Sequence, residues 1–391
     1  MECNNAIMEL ETIEKLIEMK ENQLYLDRHD GKIWQGKNGF WYTYVGEGKA
    51  RKLIKRKDRG GLDEGIVAWY KENVENPTIC DIFERWVKAK LEFKEITRPT
   101  YDRYYVDYNR YFREFGKKRI KFIKEDDLDI FIRATIRDYD LSMKQYANVR
   151  TIIIGIFKYA KRHHYTQISI STFIKDIDIS RRTFRPAKPI NPDTAVFHTD
   201  ELTKLMDYLY ANQTIENLGL IFCFQTGLRR SELAAVKFDD IKDGILHVQR
   251  QEIRYKSGEK GHMVHEVVEY TKTEAGNRFI YLPEGSEAII FTIRWQNRDS
   301  EWLMAKDGKR IQACSFDHVI KNACKATGIP ERSMHKIRRT YGTTLIDANV
   351  EDSLIMSQMG HTNISTTHKY YYFANKDEAH KRDTINKTIT F

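Results

Sequence analysis

Cysteine, proline and long apolar runs are all scarce in this chain. Its 391 residues hold five cysteines and seven prolines. The odd cysteine count and the absence of any C-x-x-C pair argue against a disulfide framework or a zinc finger, and point to packing cysteines in a reducing compartment. No stretch approaches the ~18–20 apolar residues of a membrane span. The first twenty residues are too acidic for a signal peptide, so a cytoplasmic protein with no membrane role is expected. No H-E-x-x-H or cluster of carboxylates at two-metal spacing occurs, and no metal and no cofactor are expected. His262, His265 and Glu266 come nearest to a ligand set, but they read better as strand-surface residues.

What is present is charge and aromatic side chains. Lysine and arginine total 65 against 56 acids, a net charge of +9, and aromatics make up 12%. A polyanionic partner such as nucleic acid follows as a first expectation. The charge is also segregated. Residues 1–27 hold seven acids and two bases, with Leu10, Ile13, Leu16 and Ile17 at helical spacing. Residues 28–60 hold ten bases and three acids, and there Trp34, Phe40, Trp41, Tyr42 and Tyr44 surround the turn signal Asn38-Gly39. That pattern predicts a small basic sheet followed by a helix after Gly60-Gly61.

From Ile82 the apolar residues recur at three and four, through Trp86, Val87 and Leu91 and on into a run of tyrosines from Tyr101 to Tyr111. Four or five helices are expected over 76–180, with the tyrosine stripe as core. Residues 180–194 collect Pro186, Pro189 and Pro192 with Arg181, Arg182, Arg185 and Lys188, a pattern that reads as a stiff, positively charged linker. Thr199 then caps a new amphipathic helix, and three strands are expected over about 245–282 among further helices. The fold class is multidomain α+β. Its parts are a module at 1–75, a helical domain at 76–180, a linker at 181–194, and a mainly α domain with a small antiparallel sheet at 195–391.

Four short segments of the last domain carry reactive side chains, and each has an ordinary reading of its own. Arg229 follows the helix-breaking Gly227 and sits at a helix N-terminus, where arginine favours phosphate; alone it is a surface arginine paired with Glu232. Lys272 lies at a hairpin end, and is otherwise a solvated turn lysine. His335 and Arg338 are neighbours on one helical face. His361 follows Gly360, and Tyr370 belongs to a tyrosine triplet that packing alone would explain.

Together these segments resemble the tyrosine recombinase (phage integrase) family. T-G-L-R-R-S-E-L, T-K-T…R-x-I-x-L, H-K-I-R-R-T and M-G-H…I-S-T-T-x-x-Y stand in that family's order. The N-terminal layout also resembles lambda-type and conjugative-transposon integrases, with 1–75 as an arm-type DNA-binding module and 76–180 as a core-site domain. Tyr370 lies nine residues after His361, as in the family's box, although Tyr371 and Tyr372 stay open. Arg339 stands where the family often has histidine.

The resemblance implies a site-specific recombinase that cleaves and rejoins DNA through a 3′-phosphotyrosyl intermediate, integrating and excising a mobile element by way of a Holliday junction. Tyr370 is the implied nucleophile, with Arg229 and Arg338 on the phosphate. His335 and His361 donate hydrogen bonds, Lys272 protonates the leaving oxygen, and Glu232 braces the site. Arg181, Arg182, Arg185 and Lys188 are expected on DNA backbone, where the linker lets two domains close on a duplex. The implied partners are double-stranded attachment sites, three further copies in a homotetramer, and an accessory bending or excision factor. The tail 374–391 is expected to dock on a neighbouring copy. A type IB topoisomerase and a non-catalytic DNA-binding regulator remain alternatives.

Overall fold

The computed structural model describes residues 16, 18–46, 51–73, 75–187, 191, 194–257, 261–363 and 386–387. They fall into two compact units, Met1–Ala187 and Lys188–Phe391.

In the first unit residues 18–27 are helical. Three antiparallel strands follow, β1 (Ile33–Gln35), β2 (Trp41–Val45) and β3 (Lys52–Arg56), in that spatial order. Gly39 turns the first hairpin at φ 79°. The strands alternate. One face stacks Trp34 on Tyr42, with ring centroids 5.7 Å apart, while Val45 and Ile54 face α1 (Arg59–Asn73) and pack on Leu62 and Ile66. Arg51 lies 4.0 Å over Tyr44 and Lys55 4.2 Å over Phe40.

Five helices make the rest of the unit: α2 (Ile79–Glu92), α3 (Arg98–Tyr111), α4 (Glu125–Asp138), α5 (Met143–Arg162) and α6 (Ile170–Asp176). Thr78 with Asp81 and Ser142 with Gln145 form capping boxes that start α2 and α5. The tyrosine stripe is core: Tyr108 stacks on Phe83 at 3.9 Å and Tyr104 on Trp86 at 5.4 Å. Pi faces used in this way are closed to nucleobases.

The start of the expected linker is corrected. Phe184 is buried in the helical core, the Arg185 amide donates to Leu141 O at 2.9 Å, and the Arg185 side chain reaches Gln145 Oε1 at 3.1 Å. Burial of one aromatic side chain holds this stretch on the helices despite its prolines. Arg181 and Arg182 are exposed on a single 3-10 turn, and Lys188 lies outside the described residues.

The second unit is built around α8 (Ile215–Thr226), nearly every residue of which is buried. α7 (Thr199–Ala211), α10 (Ser286–Gln296), α11 (Ala313–Thr327) and α12 (Met334–Asp347) surround it through Leu205, Ile293, Phe316 and Ile337. His198, one residue before the expected Thr199, is the N-cap of α7, where its amide donates to Glu201 Oε2 at 2.9 Å. The strand region is richer than three strands. β4 (Ile241–Lys242), β5 (Ile245–Val248) and β8 (Arg278–Tyr281) form one antiparallel sheet, and a separate hairpin of β6 (Gln251–Ser257) and β7 (His262–Val268) is inserted between β5 and β8. A two-stranded β9 (Ala305–Lys306) and β10 (Lys309–Arg310) precedes α11, and α13 (Asp352–Met359) follows α12.

Candidate active site

Two left-handed glycines open the site. Gly227 ends α8 at φ 63°, and a Cβ there would lie 2.3 Å from the Tyr341 ring. The chain therefore turns sharply and delivers Arg229 as the N-cap of the one-turn α9 (Arg230–Leu233). The Arg229 amide donates to Glu232 Oε2 at 2.9 Å, and its guanidinium reaches Oε1 at 2.5 Å. Gly360 ends α13 at φ 58°, and its carbonyl accepts from Arg229 Nη2 at 3.3 Å.

Glu232 is the hub. Its side chain is 1% exposed and takes Arg229 on one side and Arg278 on the other, Nη2 to Oε2 at 3.0 Å. Burial opposes its ionisation, but the positive charges of Arg278, Arg229 and Arg338 outweigh that and hold the carboxyl at about 2. A permanent anion here keeps three guanidinium groups together.

Arg338 is fully buried and donates to Gly227 O at 2.7 Å and to Met359 O. Its Nη2 also meets His361 Nε2 at 3.1 Å. Guanidinium has no acceptor, so this ring nitrogen accepts and His361 is the neutral tautomer with its proton on Nδ1. Desolvation, and then the fields of Arg338, Arg229, Arg278 and His335, push the His361 pKa down to about 3. His335, in the first turn of α12, is exposed by area, yet its ring is lowered to about 4, first by desolvation and then by Arg339, Arg338, Lys336 and Arg229. Both rings are neutral at physiological pH.

Arg229, Glu232, Arg338, His335 and His361 thus converge. Lys272 stands apart: it is exposed, and makes no hydrogen bond or ion pair with the described residues. Its expected hairpin is also corrected. β7 and β8 are not paired, so Lys272 lies on a link, residues 269–277, that crosses from one sheet to another. Tyr370, Tyr371, Tyr372 and nearly all of the 374–391 tail lie outside the described residues. Among the described residues no three His, Cys, Asp or Glu side chains group as metal ligands. His265 Nδ1 meets Glu252 Oε1 at 3.0 Å, and Glu266 accepts from the Tyr255 hydroxyl at 2.8 Å.

Sequence reasoning noted Arg278 only as the arginine of R-x-I-x-L and gave it no role. It stands first in a strand whose residues alternate buried and exposed, Arg278 and Ile280 inward, Phe279 and Tyr281 outward. An arginine at an inward strand position requires a buried carboxylate, and Glu232 is that partner.

Residues 195–378 match the phage integrase family. This region is a phage integrase domain. A tyrosine recombinase XerC-like protein of Caldanaerobacter subterraneus subsp. tengcongensis is 24% identical over 362 residues, 87% of this chain and 90% of that protein. The Tn1549 transposon integrase, solved with a circular intermediate DNA, superposes with a TM-score of 0.58 at 16% identity, over 80% of this chain and 99% of the other. A lambda integrase tetramer bound to a Holliday junction gives 0.53 at 15% identity, over 88% of this chain and 96% of the other. The chain has the multidomain α+β integrase fold, mostly helical with small antiparallel sheets. The relative that it matches over most of its length is named a tyrosine recombinase.

Proposed function

We propose that this chain integrates and excises a mobile DNA element, and that Tyr370 is its nucleophile. The observation that carries this reading is the Arg229–Glu232–His335–Arg338–His361 constellation, in which two guanidinium groups and two neutral imidazoles are gathered about one buried carboxylate. Tyr370 Oη attacks a scissile phosphate and forms a 3′-phosphotyrosyl bond. The 5′ oxygen departs with a proton from Lys272. Arg229, whose side chain is 24% exposed, presents its fork to a non-bridging oxygen, and Arg338 approaches from the His361 side. Donors aimed at charge that develops in the transition state are worth roughly 3–4 kcal/mol each. His335 and His361, both neutral, donate N–H bonds to the phosphate oxygens without adding positive charge. Bond energy is conserved in the phosphotyrosine, so no ATP is needed, and Arg229 and Arg338 supply the positive charge that a metal would otherwise bring.

The partners follow from the same reading: duplex attachment sites, a homotetramer on a Holliday junction, and an accessory bending or excision factor. Residues 1–75 are assigned as the arm-type module, 76–180 as the core-site domain, and 195–391 as the catalytic domain. Exposed Arg181, Arg182 and Arg185, with Lys188, contact DNA backbone. No described helix is long and apolar enough to cross a membrane, and action on DNA puts the protein in the cytoplasm.

The test uses nicked duplexes from the ends of the element that carries the gene, in EDTA, with wild type and Tyr370→Phe resolved on a denaturing gel. A covalent protein–DNA band lost in the variant supports the reading. A band that survives moves the nucleophile to Tyr371 or Tyr372. No band from wild type, with binding retained, favours a non-catalytic regulator.

A further inference from the structure

Arg278 has no part in the proposed reaction, yet its guanidinium makes four hydrogen bonds across the site. Its Nε donates to Gln358 O at 2.8 Å, Nη1 to Gly276 O at 2.9 Å and Glu232 Oε1 at 3.2 Å, and Nη2 to Glu232 Oε2 at 3.0 Å. These acceptors belong to three separate stretches: α9 beside Arg229, the 269–277 link that carries Lys272, and the end of α13 that leads to His361. All three of its guanidinium nitrogens donate to protein acceptors, so Arg278 acts by joining these stretches.

The three stretches also touch. A Cβ on Gly360 would lie 2.5 Å from Ala275 O and 3.0 Å from Arg278 Cδ, so the turn before His361 rests directly on the Lys272 link. The near end of the link is pinned as well. Glu269 Oε2 accepts from Arg250 Nε at 2.9 Å, and Arg250 Nη1 reaches the buried Asp240 at 2.7 Å. Lys272 itself is exposed, so the ends of the link determine where its ammonium can go.

We propose that Arg278 is a positioning residue for the leaving-group step: with the Arg250–Glu269 pair it clamps the 269–277 link, so that Lys272 faces the same scissile phosphate as Arg229 and His361. The inference rests on the proposed reaction, in which the Tyr370 phenolate, its proton given up to water, bonds to phosphorus, the P–O5′ bond breaks, and O5′ takes the proton of Lys272 Nζ. A planar fork with five donors reaches all three acceptors at once, and a lysine ammonium does not.

The test compares cleavage of an ordinary nicked duplex with one that carries sulfur in place of the bridging 5′ oxygen, the scissile bond having been mapped with wild type. A thiolate leaves without a proton. Arg278→Lys keeps the charge beside Glu232 but loses the fork, and is expected to slow cleavage of the phosphodiester roughly 10–100-fold while restoring near wild-type cleavage of the sulfur substrate. Lys272→Ala should behave in the same way. Amide hydrogen exchange over residues 271–277 should quicken in Arg278→Lys. Should that variant unfold, Glu269→Gln, at a carboxylate 72% exposed, loosens the link from its other end and is read identically. Equal deficits on both substrates, or unchanged exchange over the link, would overturn the positioning role. Lys272→Ala left equally slow on both substrates would instead overturn the proton-donor reading, and this inference with it.

Discussion

Arg338 Nη2 and His361 Nε2 lie 3.1 Å apart, and the arginine is necessarily the donor. The contact exists only while the imidazole is neutral, because protonation would set two donors against each other beside three guanidinium groups.

A pH window follows. The His361 and His335 pKa values fall from 6.5 to about 3 and about 4. A histidine lowered on folding contributes stability above its unfolded pKa and loses it as pH falls from there through the folded value, because the unfolded chain takes the proton first. The melting temperature is therefore expected to decline from about pH 6.5 downward. His361→Gln, whose side-chain oxygen still accepts from Arg338, should flatten part of that decline. A melting series from pH 7.5 to 4.5 checks this, and parallel curves for wild type and variant would sink it.

Glu232 titrates lower. Its folded value of about 2 lies below the ordinary 4.5, so its contribution is present above 4.5 and is lost as pH falls toward 2. At neutral pH, Glu232→Gln leaves Arg229, Arg278 and Arg338 without their shared counter-charge. Breaking a buried pair in this way costs about 3–5 kcal/mol. Denaturant unfolding at pH 7 should show that loss, together with loss of the covalent DNA complex; a cost under about 1 kcal/mol, the level of an exposed ion pair, would mean that the hub is not structural.

Arg229, His335 and Arg338, which the fold brings together, were legible as candidates in the sequence, because an arginine after a helix-breaking glycine or a histidine one turn before an arginine has local spacing. Arg278 was not. Its meaning lies in contacts with Glu232, 46 positions away, and Gln358, 80 positions away, and no local period records them. The start of the linker was placed too early for a related reason: three prolines suggested stiffness, while Phe184 supplied the burial that holds 184–185 on the helices, and the boundary between the units follows at Ala187. The β6–β7 insertion was hidden because alternation marks strands but not which strands pair.

Gly360 and Gly308 both have positive φ, 58° and 72°, but only Gly360 is crowded. A Cβ at Gly308 meets nothing within 4 Å, so Gly308→Ala bears backbone strain alone, about 1–2 kcal/mol. Gly360→Ala bears the same strain and must also push Ala275 O away. It should cost clearly more and separate His361 from the Lys272 link. Thermal melts of the two variants side by side check the difference, and equal costs would show that the close approach carries no energy.

The two parts of the first unit have separate cores, Val45, Ile54, Leu62 and Ile66 in the sheet module and Ile79 onward in the helices. What ties them is narrow. Arg119 Nη2 pairs with Glu72 Oε1 at 2.8 Å, and Glu72 is 63% exposed, a pair worth under about 1 kcal/mol. Arg119 Nη1 also donates to Glu72 O, while its bond to Asn76 O at 2.7 Å and that of the Ile120 amide to Pro77 O at 3.0 Å both lie beyond residue 75. A protein that begins at Asn76 keeps them. Deleting 1–75 is therefore expected to leave the melting of the helical part within about 2 kcal/mol of its original stability, and to leave cleavage of a short core duplex intact while binding to distal arm DNA is lost. Gel-shift and covalent-complex assays on the two DNAs separate these effects. Loss of core cleavage with the fold retained would show that the sheet module belongs to the cutting machinery, and that its aromatic face, with Arg51 and Lys55 over the rings, serves the core site itself.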